Sequence, residues 1–385
     1  MNRSEAIEIA KVLKALIKIN EVSKLSNTFI KAFYEKSILH PAEGHISLHG
    51  NFNLGGTVSG RMSSNNPNLQ NLPSTGTKYA KAFKKCFKAP EGYYLVGADF
   101  ASLEDRISAL TTKDPAKLQV YTEGYDGHCL RAYSYFKDQM EDIDPTNVES
   151  INSIESKYPD LRQKSKGPTF ALTYQGTWMT LVKNLGFKED LAKQIEARYH
   201  ELYQVSDEWV QAKLAQAAKT GYVEVAFGMK VRTPILKQTI LNKHNTPKEA
   251  AAESRTAGNA LGQSYGLLNN RAANAFMDRV YNSEYRYDIH PIAQIHDSQY
   301  YLVRAGVPAL KFLNDNLIEC MSWQNLPDIQ HDQVKLGAEL ELFYPDMSNG
   351  IKIPNNASED VILDLIIAKK KEIKCTQTAQ TYRSA

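Results

Sequence analysis

The spacing of apolar residues divides the chain into helical and extended segments. From Ser4 to about Leu39, apolar residues recur every three or four positions with lysine and glutamate between them, which predicts one long helix or two. Pro41 and Gly44 break this pattern, and the weak alternation of residues 45–52 predicts a strand. We therefore expect a structural boundary near residue 45.

Two β-rich segments each present an aspartate. Residues 93–96 predict a strand that delivers Asp99 to its end, with a helix directly after it, and residues 292–303 predict two strands that meet at Asp297. The chain between them, residues 111–285, is dominated by helical patterning. After Pro354, an amphipathic helix is predicted over 358–371, followed by a Thr/Gln/Ser-rich tail that we expect to fray. The prediction is an α+β fold with helices inserted between two β pieces.

Composition narrows the class of protein only moderately. The chain has 385 residues, 42% of them hydrophobic, and a mean hydropathy of -0.44, which is typical of a folded globular protein with two or three substructures around a cleft. The first twenty residues carry too many charges for a signal peptide or a membrane span. A net charge of +3 does not demand nucleic acid, but one short stretch concentrates lysines that could contact template phosphates. These are Lys78, Lys81, Lys84, Lys85 and Lys88.

The four cysteines indicate neither a zinc site nor a disulfide framework. Cys86, Cys129, Cys320 and Cys375 are far apart, without a paired CxxC spacing. This cysteine usage fits a reducing cytoplasm.

Either aspartate alone is most simply a turn or helix-capping residue. Two aspartates from separate β elements, however, suit a site for two Mg²⁺ ions about 3.5–4 Å apart, which activate an attacking oxygen and neutralise a leaving one. A third segment, LRQKSKGPTFALTYQG, places Arg162, Lys166, Phe170 and Tyr174 at a spacing of four. On a helix these form a stripe of two cations and two rings, which could hold a triphosphate beside a stacked base.

These segments together resemble a known family. DFASLEDR, RQKSKGPTFALTYQG and QIHDS, in this order, are similar to the three polymerase motifs of family A DNA polymerases, and SGRMSSNNPNLQNLP resembles the loop that meets the primer-template duplex in that family. The resemblance implies a right-hand fold with an antiparallel palm sheet, inserted helical fingers and a short N-terminal helical thumb. The expected divisions are a partial thumb at 1–45, palm at 46–110 and 261–350, fingers at 111–260, and a C-terminal helix and tail at 351–385.

The resemblance also implies roles at the reaction centre. Asp99 and Asp297 match the metal-binding carboxylates, assisted by the backbone carbonyl of Phe100, with Mg²⁺ as the expected ion and Mn²⁺ as a possible substitute. Arg162 and Lys166 match the triphosphate-binding residues, and Lys166 is the candidate proton donor to pyrophosphate.

Further matches concern the nucleotide and the duplex. His128 falls where the family contacts the incoming phosphates, although a lone histidine there is as often a cap or a packed residue. Glu104 matches the residue that excludes ribonucleotides, Phe170 the position that discriminates against dideoxynucleotides, and Tyr174 the aromatic at the templating position. The residues expected at the DNA are Arg61, Gln70, Arg255, Asn259, Gln263 and His296.

Three positions depart from the family pattern. Ser298 follows the aspartate where a second acid is usual, and His-Asp-Ser also occurs in single-subunit phage RNA polymerases, so an RNA polymerase is an alternative; Glu104 and Phe170 argue against it. Gly167-Pro168 predicts a kink or a late start of the triphosphate-binding helix. Gln175 stands where the family usually places glycine. A non-catalytic DNA-binding scaffold is a further alternative, disfavoured because both aspartates are present.

The expected partners are primer-template DNA and deoxynucleoside triphosphates, with no membrane. Only some sixty residues precede Arg61, and no segment resembles the 3′ to 5′ exonuclease that usually lies upstream. We therefore expect one half of a split polymerase, acting in bacteriophage DNA replication in the host cytoplasm. A second polypeptide would supply the exonuclease and the rest of the thumb, and would dock on the apolar face of the first helix.

Overall fold

The structure is a computed structural model that describes residues 3–41, 44–73, 78–238 and 247–384. The predicted N-terminal helix is present as α1 (Arg3–Lys24), which continues through a π-helical turn (Leu25–Lys31) into α2 (Ala32–Lys36). Parts of the predicted thumb, palm, fingers and C-terminal segments, at 1–2, 42–43, 74–77, 239–246 and 385, lie outside the described residues.

Helix α2 ends earlier than the apolar spacing predicted. Residues Ser37–His40 form strand β1, which pairs antiparallel with β2 (His45–Leu48). The prediction of helix up to Leu39 is wrong because residues Ser37–His40 pair with a strand beyond the turn. Helical periodicity within one segment cannot predict such pairing. The strand predicted over 45–52 is divided between β2 and β3 (Asn51–Asn53), and β3 pairs with β4 (Ser63–Asn65).

A short helix, α3 (Ala80–Lys84), carries part of the lysine-rich stretch, and β5 (Tyr93–Phe100) follows it. The helices after β5 are α4 (Leu103–Thr112), α5 (Pro115–Thr122), α6 (Gly127–Phe136), α7 (Val148–Asn152), α8 (Ile154–Lys157), α9 (Pro159–Thr173), α10 (Trp178–Leu185), α11 (Glu189–Leu202) and α12 (Gln204–Thr220). A hairpin of β6 (Tyr222–Glu224) and β7 (Lys230–Arg232) then leads to α13 (Lys248–Gln263) and α14 (Leu267–Tyr281). The helical character predicted for this part of the chain is confirmed.

The chain ends with the remaining strands and two long helices. In order they are β8 (Ile289–Ile295), β9 (Ser298–Arg304), α15 (Val307–Met321), β10 (Ala338–Phe343), β11 (Gly350–Ile353) and α16 (Glu359–Ser384). Short 3₁₀ turns lie at Lys137–Gln139, Ala226–Gly228, Leu236–Gln238, Ser264–Gly266, Glu284–Tyr287 and Pro327–Ile329. Helix α16 runs well past the predicted end at residue 371, through the segment that we expected to fray.

The main sheet places β5 at its centre. Within the described ranges it has five antiparallel strands in the order β11–β10–β5–β9–β8. Strand β5 is central because its residues are apolar and buried on both faces, as at Leu95 and Val96. Position 97 requires glycine, because a Cβ there would lie 2.9 Å from the Tyr300 ring and 3.0 Å from the Phe343 ring. These two rings cover this point of the strand.

The apolar core is divided into separate clusters. The largest joins the main sheet to α4, α14, α15 and α16. A second cluster lies within α6, α7, α8, α9, α10 and α11, and a third lies between α12, the β6–β7 hairpin and α13. The inserted helices therefore have cores of their own, apart from the sheet.

Helix α9 contains an internal proline without starting late. It begins at Pro159, where proline suits the first turn, and runs through Pro168 to Thr173. The predicted late start is therefore wrong. Pro168 leaves one backbone hydrogen bond unmade, but α9 is held by packing against α6, α10 and α11.

Candidate active site

The centre of the main sheet brings the two predicted aspartates together. Asp99, next to last in β5, pairs in register with Ser298, the first residue of β9. The Phe100 N–H also donates to the Asp297 carbonyl at 3.4 Å. Both aspartates line one cavity of about 400 Å³. The predicted pairing of carboxylates from two β elements is thus present in the geometry.

A buried amide network holds the β8–β9 turn that carries Asp297. His296 has a left-handed backbone with φ of 55°, and Asn269, 1% exposed, donates to the carbonyls of His296 at 3.1 Å and Ser298 at 3.3 Å. Gln299 in turn donates from Nε2 to Asn269 Oδ1 at 2.8 Å. Sequence reasoning missed Asn269, because a single polar residue within a helical pattern carries no signal of this contact.

The two carboxylates lie in an environment that disfavours their charge. Although Asp99 is open to solvent on one side, desolvation by the surrounding protein raises its pKa, and a hydrogen bond from Ser298 opposes that shift. Burial also raises the pKa of Asp297; Arg61 lowers it, while the charges of Glu104 and Asp99 raise it further. A bound cation would relieve both desolvation and mutual repulsion.

The donor atoms at this point suit a hard divalent cation. Asp99, Asp297 and the Phe100 carbonyl offer oxygen atoms alone, which Mg²⁺ prefers while it keeps several waters. In the part of the chain that the structure describes, no group of three or more His, Cys, Asp or Glu side chains is arranged to hold a metal ion. These residues therefore suit a Mg²⁺ ion whose remaining ligands are water and substrate oxygens, rather than an ion bound by protein ligands alone.

Glu104 is fixed at the wall of the same cavity by two partners. Arg61 donates from Nη2 to Glu104 Oε1 at 2.5 Å and lies 3.5 Å from Asp297 Oδ1, so one guanidinium joins both carboxylates. The hydroxyl of Tyr174 donates to Glu104 Oε2. Burial, together with that bond to Glu104, raises the pKa of Tyr174, which therefore remains a donor. Glu104 thus has little freedom to move away from the cavity.

Helix α9 supplies one side of the cavity. Lys166, Phe170 and Tyr174 line it together with His128 from α6. The Phe170 ring is 65% exposed and lies 5.6 Å from the Tyr174 ring, centroid to centroid, so its face remains accessible. Arg162 does not line the cavity. The predicted stripe is therefore divided, with three of its four residues at the cavity.

Arg162 is instead held by an acid that sequence reasoning missed. Its Nη2 donates to Asp126 Oδ2 at 2.6 Å, while Asp126 Oδ1 caps α6 by accepting from the N–H groups of His128 and Cys129, both at 2.8 Å. Burial alone would raise the pKa of Asp126, but Arg162 and the helix amides hold it below its usual range. The signal was an aspartate directly before the start of a helix.

A second cavity, of about 440 Å³, lies on the other side of Tyr174. Gln175, Asn259 and Gln263 line it. Asn259 Oδ1 is one of several buried polar atoms without a hydrogen-bond partner among the described residues, so it can accept a bond from a ligand or a water. Gln175, where the resemblance predicts glycine, has a left-handed backbone with φ of 62°.

The other predicted DNA-contacting residues are more dispersed. Gln70 donates from Nε2 to the Gln294 carbonyl at 3.2 Å, which ties its loop to β8 beside the aspartates. His296 is exposed next to Asp297, whereas Arg255 is exposed on α13 and lines neither cavity. Arg255 is therefore not brought to the site by this arrangement.

Two further findings concern the cysteines and the helices. All four cysteines are free thiols, with Cys129 and Cys320 buried. No helix within the described ranges combines the length and the apolar character needed to cross a bilayer.

Comparison with known proteins defines the class. The fold is similar to that of a solved structure described as the POL domain of Pol1 from M. smegmatis in complex with DNA primer-template and dNTP. The TM-score is 0.69 at 20% identity, over 88% of this chain and 53% of that one. The chain thus has the α+β right-hand polymerase fold. Residues 4–341 match the family model for DNA polymerase family A, and the chain belongs to that family.

Curated relatives agree with this membership. The chain is 28% identical over 249 residues to the thermostable DNA polymerase I of Thermus filiformis, covering 65% of this chain, and 29% identical over 284 residues to DNA polymerase I of Pseudomonas aeruginosa, covering 74%. It spans 28% of the length of each of these relatives.

Proposed function

We propose that this chain is a template-directed DNA polymerase that adds deoxynucleotides to a primer 3′-hydroxyl. The observation that carries the proposal is the single cavity lined by Asp99, Asp297, Glu104 and Lys166. Carboxylates that can hold metal ions and a cation for the triphosphate are groups that nucleotidyl transfer uses, and Glu104 would add selection of the sugar. Membership of family A supports the same activity.

Several groups at the cavity then have a proposed role. Asp99, Asp297 and the Phe100 carbonyl would hold two Mg²⁺ ions, which supply Lewis-acid activation of the primer hydroxyl and charge neutralisation at the leaving pyrophosphate; Mn²⁺ suits the same oxygen atoms. Lys166 would bind the triphosphate and donate a proton to pyrophosphate. Glu104, held by Arg61 and Tyr174, would occupy the space that a ribose 2′-hydroxyl needs.

The remaining residues would align the nucleotide and its template. The exposed face of Phe170 is suited to the nucleotide sugar and base, and Tyr174, between the two cavities, to the templating position. Gln70, Asn259, Gln263 and His296 would contact the duplex, with Arg61 and Arg255. Arg162 would reach the triphosphate only after release from Asp126.

The separate apolar cores support a proposed division of the chain into palm, fingers and thumb. The sheet with its largest core would be the palm, with parts at 46–110 and 261–350. The separate cores of α6–α11 and α12–α13 would be the fingers, at 111–260. The N-terminal helices would be a partial thumb at 1–45, and α16 with its flanking residues, at 351–385, an addition behind the palm.

We also propose that a second polypeptide covers α1. Large apolar side chains on this helix are about half exposed or more, at Ile9, Val12, Leu13, Leu16, Ile17 and Ile19. The partner would carry an exonuclease and further thumb helices of a bacteriophage replication enzyme. If α1 is a docking face, Leu16→Glu should abolish copurification with that partner while leaving distributive synthesis intact.

Primer extension tests the function directly. With a defined template and Mg²⁺, the wild-type chain should add only the complementary deoxynucleotide, and Asp99→Ala should add none. Preferential use of ribonucleotides would favour an RNA polymerase, for which Ser298 is the supporting observation. Tight duplex binding without any synthesis would favour a non-catalytic scaffold.

A further inference from the structure

A buried arginine lies against the cavity without belonging to the predicted site. Arg131 on α6 is 6% exposed and lines the cavity that holds the two aspartates. Its guanidinium donates from Nη2 to Asp105 Oδ1 at 2.6 Å and from Nε to the Tyr203 hydroxyl at 2.9 Å. Asp105 Oδ2 accepts a further bond from Tyr121 at 2.9 Å. Arg131 is therefore enclosed, and the pair is held by several hydrogen bonds although Asp105 is only half-buried.

The third contact of this guanidinium is with His128. Arg131 Nη1 and His128 Nδ1 are 3.4 Å apart. An arginine has no acceptor, so the facing ring nitrogen must accept, which places the proton of a neutral imidazole on Nε2. Burial lowers the pKa of His128, and the charges of Arg131 and Lys166 lower it further. The imidazole is thus kept neutral with one donor, Nε2–H, left for another partner.

The position of Asp105 connects this arrangement to the sugar side of the cavity. Asp105 directly follows Glu104 on the first turn of α4, whereas His128 lies in the first turn of α6. Through Arg131, the helix that carries Glu104 is bonded to the helix that carries His128. Neutral or apolar side chains at positions 105 and 131 could fill the same space. Packing alone therefore does not require a charged pair here.

We infer that Arg131 is a positioning residue for the incoming nucleotide: anchored by Asp105, it fixes His128 as a neutral Nε2–H donor aimed at the nucleotide phosphates. The inference rests on the proposed polymerase function. Arg131 acts through His128 and does not itself contact the reacting atoms. It follows that loss of Arg131 should weaken nucleotide binding only as long as His128 is present.

A double-mutant cycle tests this dependence. Arg131→Met and His128→Ala should each raise the KM for the complementary deoxynucleotide about tenfold, the size of one hydrogen bond to a charged group, with little change in kcat or in primer-template affinity. The double variant should be no worse than either single one. Effects that multiply to about a hundredfold would overturn the inference. Arg198→Gln is the matched control, because Arg198 also pairs with an acid, Asp138, but lines neither cavity.

Removal of Arg131 leaves the half-buried Asp105 carboxylate without its cation, so Arg131→Met is also combined with Asp105→Asn, a pair that leaves neither charge unpaired, and is measured with and without His128→Ala. A direct readout is the ¹⁵N spectrum of the imidazole, with the His128 signals identified by their loss in His128→Ala. The wild type should show unprotonated Nδ1, and Arg131→Met a mixture of tautomers; an unchanged tautomer would overturn the inference. This readout needs no catalysis, so a wild-type chain that fails to extend primers would defeat the proposed function while the spectrum still decides the role of Arg131.

Discussion

Ser298 donates a hydrogen bond of 2.9 Å from its hydroxyl to Asp99 Oδ1, across the paired strands β9 and β5. Ser298, at the position where the resemblance predicts a second acid, therefore acts on one of the two carboxylates. A hydroxyl at this point orients the carboxylate without adding a negative charge beside it.

Ser298→Ala should weaken metal binding without destroying the fold. Loss of one hydrogen bond to the Asp99 carboxylate is expected to cost about 1.5 kcal/mol, or roughly tenfold in affinity. Titration of Mn²⁺ followed by electron paramagnetic resonance measures this without catalysis, and Ser298→Thr, which keeps a hydroxyl, should restore most of the affinity. Equal Mn²⁺ affinity in wild type and Ser298→Ala would show that the bond has no role in the site.

Glu104→Ala should admit ribonucleotides. The change removes the side chain that Arg61 and Tyr174 hold at the cavity wall, and it frees both partners as well. We expect the ratio of kcat/KM for deoxynucleotides over ribonucleotides to fall by at least about a hundredfold, equivalent to about 2.7 kcal/mol. Tyr174→Phe separates loss of the Glu104 carboxylate from loss of its hydrogen bonds, since it frees one Glu104 oxygen but keeps the carboxylate. Unchanged sugar selection in Glu104→Ala would remove Glu104 from this role.

Gln175→Gly should stabilise the protein. At φ of 62°, a residue with a side chain is strained by about 1–2 kcal/mol, whereas glycine adopts this backbone freely at a smaller entropic cost of about 0.5–1 kcal/mol. The expected net gain is up to about 1 kcal/mol, seen as a higher Tm in calorimetry. Gln175→Ala, which keeps a Cβ, should give no such gain. A lower Tm for the glycine variant would contradict the claim that the backbone at residue 175 is strained.

The stability of the protein should rise in mildly alkaline solution because of Lys117. This residue is 8% exposed, and burial lowers its pKa to about 8, against the opposing charges of Asp105 and Asp114. Since the folded-state pKa lies below the unfolded value, the unfolded chain binds more protons between pH 8 and about 10.5, and the free energy of unfolding increases with pH across that window.

A pair of variants isolates this contribution. Relative to Lys117→Met, the wild type should gain about 3 kcal/mol in free energy of unfolding from pH 7.5 to pH 10.5, measured by urea denaturation. Lys117→Arg stays charged across the range and should show no such gain. A constant difference between wild type and Lys117→Met at every pH would exclude a depressed lysine pKa.

Periodicity predicted the elements best where one local pattern decided the structure. Strand β5, the two strands around Asp297 and the helical region between them follow from apolar spacing. The end of α2 does not, because Ser37–His40 pairs with a strand beyond a turn, and pairing depends on residues distant in sequence.

The candidate site shows the same limit. Asp99, Asp297 and three of the stripe residues were predicted and do line one cavity, because motif spacing reflects positions on single elements. Asp126, Arg131 and Asn269 were not, since each matters through a contact between elements far apart in the chain. The position of Asp126 before a helix could have predicted its role as a cap, but contacts such as its ion pair with Arg162 have no signal in the spacing of a single segment.

The most direct test of the account is the rate of single-turnover nucleotide addition in Asp99→Asn and Asp297→Asn, which keep the size of each side chain but remove its charge. If these carboxylates form the metal site, each variant should bind primer-template as the wild type does yet react at least about a thousandfold more slowly, a loss of about 4 kcal/mol in transition-state stabilisation. Asp138→Asn, an exposed acid outside both cavities, should react at the wild-type rate. Rates within about twofold of wild type for both Asp99→Asn and Asp297→Asn would contradict the central claim.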